Sequence, residues 1–115
     1  MSGRPRALVV EDSADQLELL RFLLNREGFD VFGALDGESA IASLSSFTPS
    51  LAVIDLLLPG ISGSECARQL RERVPECRIV ISSVLDESEY PEADAALPKP
   101  VRGSQVHDML VRMAQ

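Results

Sequence analysis

The chain has no long hydrophobic run. Its first apolar stretch, Ala7 to Val10, stops at Glu11 and Asp12, far short of the roughly 20 residues of a membrane span and short of the roughly 7–15 of a signal-peptide core. No other segment competes, so the expected location is the cytoplasm, with no membrane partner. Cysteine is scarce, and the two present, Cys66 and Cys77, lack metal-ligand spacing; they read as free thiols. Positive charge is short as well. Eleven Lys and Arg stand against eighteen Asp and Glu, a net charge of −7, so the cationic face that a polyphosphate backbone needs is missing and nucleic acid is not an expected partner. Repeats, linkers and low-complexity tracts are absent too. The 115 residues, 45% of them hydrophobic, therefore amount to a single domain over 1–115 around one ordinary core.

What the chain does contain is an alternation of short β-branched apolar runs with helix-period segments, the pattern of βαβ units around a parallel sheet. Ala7 to Val10 is apolar on both faces and reads as a buried strand. Leu17, Leu20, Phe22, Leu23 and Leu24 then recur at helical spacing between a cap at Ser13 and a left-handed stop at Gly28, which predicts a helix over 14–27. A second strand follows over 29–34, and Gly37 opens a second helix with Ile41 and Leu44 on one face. Leu51 to Ile54 is the third strand and runs straight into Asp55; Leu56 to Gly60 is a loop, and a third helix is expected over 64–73. Strand four covers 78–82. Ala95 to Pro98 is a weak fifth strand, and a final helix covers 101–113, carrying Val106, Met109, Leu110 and Met113 at helical spacing.

In an open parallel sheet the ligand site lies beyond the carboxyl ends of the strands, where strand order reverses. Glu11 and Asp12 follow strand one, Asp55 strand three, Ser83 strand four, and Lys99-Pro100 strand five. With strands ordered 2-1-3-4-5, the first and third are neighbours across the switch point and the three carboxylates converge. Two such charges about 4 Å apart repel by about 4 kcal/mol at an effective dielectric near 20, so a cation is required. An all-oxygen donor set suits a hard divalent ion, Mg²⁺ in particular. Lys99 adds a compact positive charge and Ser83 a hydroxyl donor, the groups that hold a tetrahedral anion. The implied chemistry is phosphoryl transfer to a carboxylate nucleophile. Taken singly, each residue has an ordinary explanation: a turn aspartate, acidic residues at the positive end of a helix, a loop serine, a solvated lysine. Four strands ending in complementary chemistry outweigh those explanations together.

At Leu8-Val9-Val10-Glu11-Asp12, at Val53 to Gly60 with Gly63 following, at Ile79 to Ser83 and at Lys99-Pro100, the sequence resembles the receiver domains of two-component response regulators, over nearly its whole length. The resemblance implies a flavodoxin-like, doubly wound α/β fold with five parallel strands in the order 2-1-3-4-5. It implies that Asp55 accepts phosphate from a phosphohistidine on a sensor histidine kinase or a histidine phosphotransfer protein. Glu11 and Asp12 would organise Mg²⁺ together with Asp55 and the backbone carbonyl of Leu57. The family spacing selects Ser83 over Ser82 as the phosphate-sensing hydroxyl, and Lys99 would grip the phosphate beside a cis bond to Pro100. Such a domain is a signalling switch that catalyses its own phosphorylation and dephosphorylation, and its output partner is not named by the sequence.

Two departures stand out. The stretch between Ser83 and Lys99 is shorter than the family usually carries; its acidic residues and Pro91 allow at most one helical turn or a loop where the fourth helix should be. The aromatic switch residue three positions before Lys99 is Ala96. The expected output is therefore a reordering of the 84–94 segment itself, in a monomer. Tyr90 is a candidate stand-in for the aromatic, with a loop tyrosine covering apolar surface as the plainer explanation; His107 reads as a surface or structural histidine, and Leu57 and Leu85 as residues that could flank the phosphoryl group. A phosphatase of the haloacid dehalogenase type needs an aspartate where Leu57 stands. A flavin carrier needs a neutral phosphate loop where Glu11, Asp12 and Asp15 stand. The remaining alternative is a phosphorylation-independent pseudo-receiver acting as an interaction module.

Overall fold

The structure, a computed structural model, describes residues 3–115. Strands β1 (Arg6–Val10), β2 (Asp30–Ala34), β3 (Leu51–Ile54), β4 (Arg78–Ile81) and β5 (Ala95–Ala96) alternate with helices α1 (Ala14–Arg26), α2 (Gly37–Ser43), α3 (Gly63–Arg73) and α4 (Gly103–Met113). All strand pairs are parallel and the sheet order is β2-β1-β3-β4-β5. This is the expected doubly wound α/β arrangement.

Because side chains alternate across a strand, the sheet splits the apolar residues into two layers. Leu8, Val10, Ala52, Ile54, Ile79 and Ile81 meet Ala40 and Ile41 of α2 and Cys66, Ala67 and Leu70 of α3. Ala7, Val9, Val53 and Val80 meet Leu17, Leu20 and Leu24 of α1 and Val106 and Met109 of α4. The central strands are buried on both faces, which is why they read as unbroken apolar runs. Both cysteines are free and buried, and burial pushes their thiols up to about 11 for Cys66 and about 12 for Cys77. No helix among the described residues is long and apolar enough to cross a membrane.

Local signals account for the element ends. Ser13 Oγ accepts the Gln16 N–H at the start of α1, and Gly28, at φ 99°, turns the chain out of it. Arg4 then donates to the Asn25 carbonyl in the last turn and to the Gly28 and Phe29 carbonyls just beyond it. Phe22 does not join the core stripe: it is 59% exposed, off the face shared by Leu17, Leu20 and Leu24, with the Arg26 guanidinium 5.6 Å from its ring centroid. The fifth strand is only two residues long. Pro98 has no N–H to give, so pairing continues through alternate residues, Leu97 N–H to Ile81 O and Lys99 N–H to Ser83 O. The last helix starts at Gly103, two residues later than its apolar pattern suggests, because Val101 is buried in the approach and Arg102 is extended, its N–H donating to Gln105 Oε1.

Between β4 and β5 there is no α-helix. One 3-10 turn, Glu87–Glu89, is capped by Asp86, whose Oδ1 accepts the Ser88 N–H. Asp94 then returns the chain to the sheet through both its backbone and its side chain, its N–H donating to Ile79 O and its Oδ2 accepting Ile79 N–H.

Candidate functional site

The carboxyl ends of β1 and β3 adjoin, and the residues just beyond them form an acidic pocket. Carboxylate oxygens of Glu11, Asp12 and Asp55 lie within 4.8 Å of one another. Glu11 and Asp55 are buried and Asp12 is exposed. Lys99, the chain's only lysine, bridges the two buried carboxylates: its Nζ donates to Asp55 Oδ2 at 2.9 Å and to Glu11 Oε1. The second oxygen of each is held by backbone, Glu11 Oε2 by the Ser13 N–H at 3.1 Å and Asp55 Oδ1 by the Leu57 N–H at 3.1 Å. Asp55 is thus fixed on both sides, and its rotamer is set before any ligand arrives.

Burial opposes charge on both members of the Glu11–Lys99 pair. It raises the Glu11 carboxyl above its ordinary value even though Lys99 and the Ser13 N–H pull the other way. For Lys99 burial works downward, but the hydrogen bonds and charges of Glu11 and Asp55 outweigh it and hold the ammonium above its ordinary value. Three carboxylates against one ammonium leave two negative charges uncompensated, and the donor set is entirely hard oxygen. Those are the features that a divalent cation such as Mg²⁺ fits.

Ser83 is buried at the end of β4. Its Oγ accepts the Leu85 N–H at 3.3 Å, and its carbonyl accepts the Lys99 N–H at 3.1 Å. The expected site residues therefore meet around Asp55 through Glu11, Asp12 and Lys99, while Ser83 joins through the backbone of Lys99. Lys99–Pro100 is cis. Leu57 is 51% exposed beside the pocket, whereas Leu85 packs against the apolar layer under α2 and α3, and Val84 is the open residue next to Ser83.

Two further residues shape the site. Glu38, near the start of α2, accepts the Ile61 N–H on Oε2 at 3.0 Å and so pins the loop that leaves Asp55. Tyr90 places its hydroxyl on the backbone of Ser83, accepting its N–H at 3.1 Å and donating to its carbonyl at 2.8 Å. Both contacts involve backbone partners, which leave no mark in a sequence. Gly63 closes the same loop from below: a Cβ there would lie 2.0 Å from the Asp55 carbonyl oxygen.

The fold and pocket define a doubly wound α/β domain with a cation-compatible acidic centre at its switch point. The response regulator receiver domain model matches residues 7–111, and the chain belongs to that family. The alkaline phosphatase synthesis transcriptional regulatory protein PhoP of Bacillus subtilis is 37% identical over 82 residues, 71% of this chain and 34% of that protein. The phosphate regulon transcriptional regulatory protein PhoB of Rhizobium meliloti is 42% identical over 77 residues, 67% of this chain and 34% of that protein. The chain thus spans about a third of the length of these relatives. Among solved structures, the response regulator TrrA of Thermotoga maritima in complex with Mg²⁺-BeF superposes with a TM-score of 0.85 at 27% identity, over 95% of this chain and 98% of that one. TrrA in its complex with the histidine kinase ThkA matches at 26% identity and a TM-score of 0.83, over 96% and 99% of the two chains. The chemotaxis protein CheY4 of Vibrio cholerae shares the fold, at 21% identity and a TM-score of 0.88, over 96% of this chain and 99% of that one.

Proposed function

We propose that this receiver domain takes a phosphoryl group onto Asp55 from a phosphohistidine of a sensor histidine kinase or histidine phosphotransfer protein in the cytoplasm, and that the phosphorylated form alters a face that binds an output partner. The observation that carries the reading is the clamped Asp55 carboxylate, held between Lys99 Nζ and the Leu57 N–H with two more carboxylates within 4.8 Å. One Asp55 oxygen attacks phosphorus, the phosphorus–nitrogen bond to the donor imidazole breaks, and the electron pair leaves with the imidazole nitrogen. Glu11, Asp12, Asp55 and the Leu57 carbonyl would hold Mg²⁺, which supplies charge neutralisation for the phosphoryl oxygens when bound. Lys99, already charged and aimed at Asp55, turns from the carboxylate to the new acyl phosphate. The Ser83 hydroxyl would donate to it. Water then attacks the phosphorus, the bond from phosphorus to the Asp55 oxygen breaks, and inorganic phosphate leaves as the carboxylate is restored, so the domain is a switch that runs its own loading and unloading.

The alternative, a phosphorylation-independent interaction module, draws on the missing helix and on Ala96. Intact mass after incubation with acetyl phosphate and Mg²⁺ separates the two. The expected outcome is one added phosphate in the wild type, none in Asp55→Asn and none with a chelator. An unmodified wild type with Mg²⁺ binding demonstrated by calorimetry would favour the module.

A further inference from the structure

Ala96 removes the side chain through which this fold would ordinarily sense a change at Ser83, yet Ser83 is not without an aromatic partner. Tyr90, the chain's only tyrosine, reaches it from the opposite direction, out of the segment that replaces the missing helix. Its hydroxyl makes both of its bonds to one residue, accepting the Ser83 N–H and donating to the Ser83 carbonyl. A tyrosine that only covered apolar surface would need one polar partner or a water for its hydroxyl. Here the hydroxyl is committed, as donor and acceptor, to the backbone of the buried serine whose carbonyl also holds Lys99, the lysine on Asp55.

The Ser83 carbonyl also accepts the Lys99 N–H, so Lys99, Ser83 and Tyr90 share one peptide unit. Tyr90 ends the Glu87–Glu89 turn, its own N–H bonded to the Glu87 carbonyl, and its ring packs with Leu85 and Ala93 against the apolar layer. Burial holds its phenol above the ordinary value, despite the bond to Ser83. The chain thus runs from Asp55 through Lys99 and Ser83 to a ring embedded in the 84–94 segment, with no step through β5.

We propose that Tyr90 is the positioning residue for Ser83 and carries the state of Asp55 into the 84–94 segment, in place of an aromatic at Ala96. This rests on phosphorylation of Asp55. When the acyl phosphate forms, the Ser83 hydroxyl exchanges the Leu85 N–H for a phosphoryl oxygen and becomes its donor. The Ser83 peptide moves with it, and Tyr90 follows, shifting the turn at Glu87–Glu89. The output surface is then the replaced helix itself, and its partner reads an acidic turn rather than a helical face.

The chain has one tyrosine and no tryptophan, so its intrinsic fluorescence comes from Tyr90 alone. Beryllofluoride with Mg²⁺ is expected to produce a saturable change in tyrosine emission in the wild type. Asp55→Asn and Ser83→Ala should show none, the latter with its resting spectrum unchanged, since Tyr90 binds only the backbone of Ser83. At matched phosphate occupancy after acetyl phosphate, judged by intact mass, Tyr90→Phe should lose the change in amide exchange across residues 84–90 that the wild type shows. A phenylalanine that preserved that response would overturn the inference, because it keeps the ring and removes only the hydroxyl. Silent tyrosine emission in a wild type carrying phosphate on Asp55 would overturn it too, leaving the phosphorylation reading intact. A wild type that takes no phosphate would overturn both.

Discussion

Gly63 shows how closely the acceptor loop is packed. A Cβ built on it would stand 2.0 Å from the Asp55 carbonyl oxygen and 2.6 Å from the Leu56 Cα, both backbone atoms that cannot rotate away. Gly63→Ala is therefore expected to push the loop out of place, at a cost of about 1–3 kcal/mol, and to slow phosphate uptake more than it lowers the urea midpoint. Comparing the two readouts checks this; a variant with wild-type uptake would show that the loop can shift without disturbing Asp55. The proximity of Glu11, Asp12, Asp55 and Lys99 was legible in the sequence because each lies within three residues of a strand's carboxyl end, and strand order fixes which ends meet. Glu38 was not legible as a site residue, and Tyr90 was legible only as a candidate stand-in for the missing aromatic, not for its hold on the Ser83 backbone. Their partners are N–H and C=O groups, which every residue carries, and only the folded path of the 84–94 and 56–62 segments brings those groups within reach. Phe22 is the converse case: it is apolar, but its position on the turn of α1 points it to solvent.

Among the elements, β5 carries the most compromise. Two residues pair with β4, and the strand is extended at its start by Asp94, which takes both polar groups of Ile79. Asp94→Ala would leave the Ile79 N–H to water and weaken the entry to the strand, a loss of about 1 kcal/mol in a urea titration; Asp94→Asn, which keeps an acceptor oxygen, should recover most of it. An unchanged midpoint in the alanine variant would mean that the side-chain bond adds nothing to the backbone one. The four other strands were legible to within a residue or so, β1, β3 and β4 from continuous apolar runs and β2 from its place between the Gly28 helix stop and the second helix. The fifth was longer in the sequence pattern because Leu97 and Pro98 look like strand residues; Leu97 and Lys99 still donate to β4, but regular pairing stops at Ala96. The one-turn limit between Ser83 and Lys99 was legible from length and Pro91, and the 3-10 turn meets it.

At the scale of the molecule, α1 and α4 lie on the same face of the sheet and are joined at the surface by His107 Nδ1 and Glu27 Oε1, 3.0 Å apart. The hydrogen bond to Glu27, with its charge, raises His107 above its ordinary 6.5. A raised folded value means that protonated His107 favours the native state: the contribution is complete below about pH 6.5 and fades as pH rises through the folded value. The difference in urea midpoint between wild type and His107→Gln should therefore be larger at about pH 5.5 than at about pH 9. Equal differences at the two pH values would remove the ion pair from the account of stability. The doubly wound fold was legible because strand and helix periods alternate everywhere but between β4 and β5, whereas the pairing of His107 with Glu27 depends on a helix packing that the sequence does not spell out. The brevity of β5 also bears on how the protein behaves in a crowded cell. A sheet edge is a template on which a foreign strand can grow, and longer, flatter edges template better. This edge offers a two-residue strand with a proline two positions beyond it, too little for an incoming strand to find a register, so that side of the domain is guarded against strand-by-strand aggregation.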